Sequence, residues 1–208
     1  MPKKMPPPKP LAAWDRRPWA EKGDPSPEAV YTSVGSALSR WERYEGILAI
    51  LFSAFVTGGA TQAASRAYVA VRTFEGRAQM LRAATEAYFA EFPDDELQSE
   101  FKIILTNATC FSARRNDIAH GVVDHYIPKQ WVDAMALDYA YALYPSYASF
   151  KERDLANWPT YCMSSLDVDY FGDEFLRLNS PAATLAGRII SRALEKPSRD
   201  KFPLPFGG

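Results

Sequence analysis

Apolar residues recur at every third or fourth position along most of this chain, and that period constrains it more than any other feature. Leu38, Trp41, Tyr44, Leu48, Leu51 and Phe55 follow it, as do Tyr68, Val71, Phe74, Ala78, Leu81 and Tyr88. Leu97, Phe101, Ile104, Leu105, Ala108 and Phe111 form a third set; Phe171, Phe175, Leu178, Ala182, Leu185, Ile189 and Leu194 form a fourth. Such spacing puts each set on one face of an α-helix. Helices with one apolar face bury it against each other. The chain is therefore expected to be all-α: a four- to five-helix up-down bundle with a short aromatic-rich insertion before the last helix.

Helix boundaries follow from residues that stop or start a ladder of backbone hydrogen bonds. Ser26, Pro27 and Glu28 supply a capping hydroxyl, a first-turn proline and an early acid. Gly58-Gly59 ends that helix. A second helical stretch runs from about Thr61, with a break near Thr73 to Gly76, and Pro93 closes it. Asp94 or Asp95 caps the next. After Gly121, "VVDHY" is β-branched and aromatic, and "YALYPSYASFKERD" is aromatic-rich with a proline in its middle. Residues 122–163 thus read as an irregular excursion with short strands or a hairpin. Ser164-Ser165 cap a final helix, in which Pro181 removes a donor and predicts a kink.

At 208 residues the chain holds one good core plus tails. Residues 1–25 carry seven of the sixteen prolines, with Lys3, Lys4, Lys9, Arg16 and Arg17. They read as a disordered Pro-rich basic tail, either solvated or touching RNA phosphates. Trp14 and Trp19 point to packing of part of it on the body or on a partner. Residues 26–196 are the helical domain, and 197–208, ending "KFPLPFGG", a second tail. The formal net charge is −1, so nucleic-acid binding would need a local basic patch.

Cys110 lies within a helical apolar pattern and reads as a buried free thiol. No zinc-like Cys/His spacing, phosphate-binding glycine loop, nucleophile elbow or paired catalytic carboxylates occur, so neither a metal nor a cofactor is expected. The charge-free run Gly46 to Ser65 is apolar only from Ile47 to Val56, short of the roughly 20 residues that span a bilayer. It reads as a core helix, and no membrane association is expected. The basic start runs into prolines rather than an apolar stretch, which suggests a cytoplasmic protein.

The stretch "SARRNDIAHG", Ser112 to Gly121, breaks the pattern. Projected at 100° per residue, Leu97, Phe101, Ile104, Ala108 and Phe111 share one side. Arg115 falls in the middle of that stripe, and Ile118 and Ala119 continue it. A charge on a buried face is costly unless paired or turned to a cavity. Gly121 suits the left-handed position that ends helices, so His120 is the last helical residue or its cap. Two readings stand. In one, Arg115 pairs with an internal carboxylate such as Asp117 or Asp124, and His120 caps the last carbonyls. In the other, Arg115 and His120 project into one pocket at the end of the bundle.

Arg115-Asn116, three residues, then His120 and Gly121 resembles the signature of the HEPN superfamily (higher eukaryotes and prokaryotes nucleotide-binding). There an arginine, usually followed by a polar residue, precedes a histidine by four to six positions near the C-terminal end of a bundle helix. The resemblance spans about residues 27 to 195; only the motif is sharp. It implies a metal-independent endoribonuclease of toxin or defence type, acting as a homodimer on RNA, with an antitoxin or regulatory protein as a further partner. Arg115 and His120 would be catalytic, Asn116 supporting, and Arg114 an auxiliary phosphate contact. Its alternative is a non-catalytic nucleotide- or protein-binding module of the same fold. A purely structural interaction protein would instead close Arg115 in a salt bridge. Val122 stands where the subgroup regulated by tyrosine modification has its tyrosine, so the chain departs from that subgroup.

The residue types suit the chemistry. Cleaving RNA without a metal needs a base for the ribose 2′-hydroxyl and a cation for the phosphorane. Imidazole and guanidinium supply these. His125, on a predicted strand or loop, reads as structural. Asp167, Asp169, Asp173 and Glu174 read mainly as acids that complement the helix dipole, with metal binding the lesser reading.

Overall fold

The computed structural model describes residues 10–129, 139–146 and 159–195. The fold is all-α, as the apolar period requires. Among the described residues the helices are α1 (Pro27–Thr57), α2 (Gln62–Ala70), α3 (Phe74–Glu91), α4 (Asp95–Ala119), α5 (Ser165–Arg177) and α6 (Asn179–Glu195). Two strands, β1 (Gly121–His125) and β2 (Tyr141–Pro145), lie between α4 and α5. The chain forms two compact units. The first comprises residues 1–42 and 107–177, the second 43–106 and 178–208.

The core of the first unit is aromatic. Phe175 on α5 meets Trp41 on α1 at 5.1 Å and Phe111 on α4 at 6.0 Å, both edge to face. Such pairs add to the area they bury. The β1–β2 ribbon is antiparallel, with Gly121 opposite Pro145 and His125 opposite Tyr141. Leu143 of β2 bridges Met163, and Tyr141 bridges Asp24. A smaller cluster of Ala20, Tyr126, Ala142, Tyr144 and Cys162 is buried here, with Trp19 packed against it. The hairpin expected within 122–163 is present as this ribbon; 130–138 and 147–158 lie outside the described residues.

A disordered tail over 1–25 does not hold from Pro10 onward. Trp14 packs edge-on against Phe111. The Trp19 indole N–H donates to the Ile127 carbonyl at 3.1 Å, and the Ala20 N–H to that of Cys162 at 3.1 Å. Asp24 accepts from the Ser165 N–H at 2.7 Å, at the first turn of α5. Partial burial of two indoles offsets the ordering of this segment. Residues 1–9 and 197–208 lie outside the described residues.

In the second unit Phe55 of α1 is surrounded by Tyr88, Phe89 and Phe101. Leu48, Leu51, Leu81, Leu185 and Ile189 are fully buried there. The apolar part of the charge-free run, Ile47 to Val56, thus lies within α1, and among the described residues no helix is long and apolar enough to cross a membrane. Gly58 ends α1 with φ 70°, the left-handed turn that glycine adopts at no steric cost. The expected closing helix is two. Pro181 has no N–H for the carbonyl of Arg177, and the ladder breaks at Leu178 between α5 and α6.

Candidate functional site

The last two turns of α4 carry Arg114, Arg115 and Asn116, and His120 is the turn residue directly after the helix. Phe111 and Ile118 are buried on the apolar stripe, and Arg115 lies between them. Its side chain nevertheless keeps 32% of its exposure. Arg115 Nε is buried without a hydrogen-bond partner. Nη1 donates to Asn116 Oδ1 at 3.2 Å, and Nη2 to Glu42 Oε1 at 3.4 Å. The stem thus runs along the apolar stripe while the charged head reaches water. Glu42 is itself 63% exposed.

The carboxylates expected to neutralise Arg115 are occupied elsewhere. Arg16 grips Asp117 with two hydrogen bonds, Nε to Oδ2 at 3.0 Å and Nη2 to Oδ1 at 2.9 Å. Arg114 pairs with the same carboxylate at 3.1 Å. The Tyr161 hydroxyl donates to the Asp117 carbonyl at 2.8 Å, and the Arg16 guanidinium lies 5.1 Å over the Tyr161 ring. Asp124 accepts from the His125 backbone N–H. Arg115 is therefore held by neither Asp117 nor Asp124.

Arg114 shares the buried, unpartnered Nε of Arg115 but differs in exposure and in its carboxylate partner. Its side chain is only 13% exposed. Burial pushes its pKa down, and the Asp117 charge opposes that shift. It anchors Asp117, so the auxiliary phosphate contact expected of it does not suit its position.

Asn116 and His120 are both exposed. The His120 N–H donates to the Asn116 carbonyl at 3.0 Å, which puts the histidine one helical turn beyond the asparagine. The structure thus brings Asn116 against Arg115 and sets His120 next along the same exposed end of α4.

Gly121 departs from expectation. It begins β1, and among the described residues the left-handed glycine is Gly58. A Cβ on Gly121 would stand 2.7 Å from Leu143 Cδ1 and 3.0 Å from the Asp117 carbonyl oxygen. Glycine is required here because β2 packs tightly on the helix end, not to reverse the chain.

A cavity of about 500 Å³ occurs in the second unit, walled in part by Phe55, Tyr88, Phe92 and Arg192. None of Arg114, Arg115, Asn116 and His120 lines it, so the pocket expected at the motif is not this one. Elsewhere, His125 stacks on Tyr141 with ring centroids 5.1 Å apart. Of the acidic run, Asp167 accepts from the Ser164 N–H and hydroxyl, Asp173 takes Arg40, and Glu174 pairs with Arg177. Cys110 is half-buried rather than buried. Cys162 is the buried thiol, with burial pushing its pKa up to about 12.

Arg16, Glu42 and Tyr161 were not legible as part of this site. Their partners are distant in sequence, and the one signal was the tryptophan pair in an otherwise tail-like segment. No known protein family, curated protein or solved structure matches this chain.

Proposed function

We propose that this chain is a metal-independent endoribonuclease whose site is Arg115, Asn116 and His120 at the end of α4. One observation carries the reading. With Asp117 held by Arg16 and Arg114, the carboxylate that Arg115 meets among the described residues is the exposed Glu42, at 3.4 Å. Exposed ion pairs of this kind contribute about 0–1 kcal/mol. A phosphate, doubly hydrogen-bonded to the guanidinium, displaces Glu42 readily. Asn116 Oδ1 meanwhile holds Nη1 and so orients the fork.

The steps follow from these groups. His120 takes the proton of the ribose 2′-hydroxyl. The 2′-oxygen attacks phosphorus, and Arg115 neutralises the phosphorane oxygens. The bond to the 5′-oxygen then breaks, leaving a 2′,3′-cyclic phosphate, and the 5′-oxygen takes a proton. One imidazole cannot accept and donate in the same step, so His120 of a second copy supplies that proton in a homodimer. A toxin or defence role, restrained by an antitoxin or regulatory protein, follows from the HEPN resemblance.

The test is incubation of single-stranded RNA with the protein in excess chelator. Fragments ending in 2′,3′-cyclic phosphate, formed by a species with dimer mass in light scattering, support the reading. Full activity from a monomer overturns the shared site. The Glu42 ion pair itself favours a second reading, a non-catalytic binding module of the same fold, for which RNA or nucleotide is bound and recovered intact.

A further inference from the structure

We infer that Arg17 of the N-terminal segment is a backbone-phosphate contact for the RNA of this site, held in place by its neighbour Arg16; this rests on the ribonuclease reading. The segment is fixed on the motif end of α4 at closely spaced points. Trp14 packs on Phe111, and Arg16 grips Asp117, the residue directly after Asn116. The Ala13 carbonyl accepts from the Tyr170 hydroxyl at 3.3 Å. Asp15 is engaged within the segment, accepting from the Ala12 N–H at 2.7 Å.

Arg17 follows Arg16 directly, so its Cα lies about 3.8 Å from one anchored beside the motif. Its guanidinium lies 4.4 Å from the Tyr170 ring centroid and is exposed. Stacking uses the face of the guanidinium and leaves its N–H edges outward. Among the described residues no carboxylate pairs with it, unlike Arg16, Arg114 and Arg115. An oriented, uncompensated arginine, next in the chain to one anchored on Asp117, is suited to an anion, and phosphates are the anions RNA presents at regular spacing.

The experiment uses the full chain carrying His120→Ala, so that RNA survives, and a fluorescein-labelled single-stranded RNA about 20 nucleotides long. Binding is measured by anisotropy across a salt series. Arg17→Ala is expected to weaken binding several-fold and to lower the slope of log K against log salt by about 0.7, the loss of one single-strand phosphate contact. Arg17→Lys restores the slope, because it keeps the charge. The melting temperature stays unchanged in both. Arg17→Ala with the parent's affinity and slope overturns the inference, as does a parent that binds no RNA. Cleavage by the unsubstituted chain is scored separately. RNA binding with the Arg17 effect but without cleavage sinks the ribonuclease reading and leaves the contact standing.

Discussion

Arg16 and Asp117 are 101 positions apart and joined by two parallel hydrogen bonds, at 3.0 and 2.9 Å. The grip ties the N-terminal segment to the last turn of α4. Because Arg114 holds the same carboxylate, Asp117 is the common counter-ion of two arginines.

The two ends of this grip should respond unequally to substitution. Asp117→Ala strands Arg114, whose side chain is 13% exposed, and is expected to cost about 3 kcal/mol. Arg16 is 43% exposed, and solvent screens its pair, so Arg16→Ala is expected to cost at most about 1 kcal/mol. Urea unfolding of both variants checks this. Equal losses would show that Arg114 does not depend on Asp117.

Gly121→Ala should destabilise the protein through crowding. The new methyl meets Leu143 at 2.7 Å, and overpacking of this kind costs about 1–3 kcal/mol. Leu143→Ala in the same chain removes the clashing atoms, so the two losses should be less than additive. Strict additivity in unfolding free energies would contradict close packing as the reason for glycine.

The helices were legible because burial of one face is a local pattern. Pro27, Gly58, Thr73, Pro93 and Asp94 each act within a turn of their own position. Thr73 accepts from the Gly76 N–H and Asp94 from the Leu97 N–H, as capping residues do. Arg115 was legible for the same reason, as a charge on an apolar stripe. Its partner was not. Asp117 is closer in sequence, but Glu42 reaches Arg115 only through tertiary packing, and Asp117 is claimed by a segment read as tail. Gly121 was misread because glycine serves both left-handed turns and close approaches, and only the position of Leu143 decides between them.

Stability should fall in alkali. The Cys162 thiol is raised from 9.0 to about 12 by burial. The buried Tyr44, Tyr68, Tyr144 and Tyr161 phenols are raised too, mainly by desolvation. In each case the unfolded chain releases its proton first. The stabilisation is therefore complete below about pH 9 and is lost as pH rises through about 12. Urea midpoints from about pH 8 upward should decline, and a flat profile would contradict the burial. Under the same logic an alkylating reagent near neutrality modifies half-buried Cys110 first and reaches Cys162 only after unfolding.

That Arg115 and His120 do chemistry rather than hold the fold is the core of the proposed function. It is tested most directly by measuring RNA cleavage and melting temperature on Arg115→Ala and His120→Ala side by side. The ribonuclease reading predicts a loss of about 100-fold or more in cleavage for each. It also predicts that both stay folded, with Arg115→Ala within about 1 kcal/mol of the parent because its pair with Glu42 is exposed. A stable, fully active His120→Ala protein, or an Arg115→Ala protein that unfolds, would contradict it.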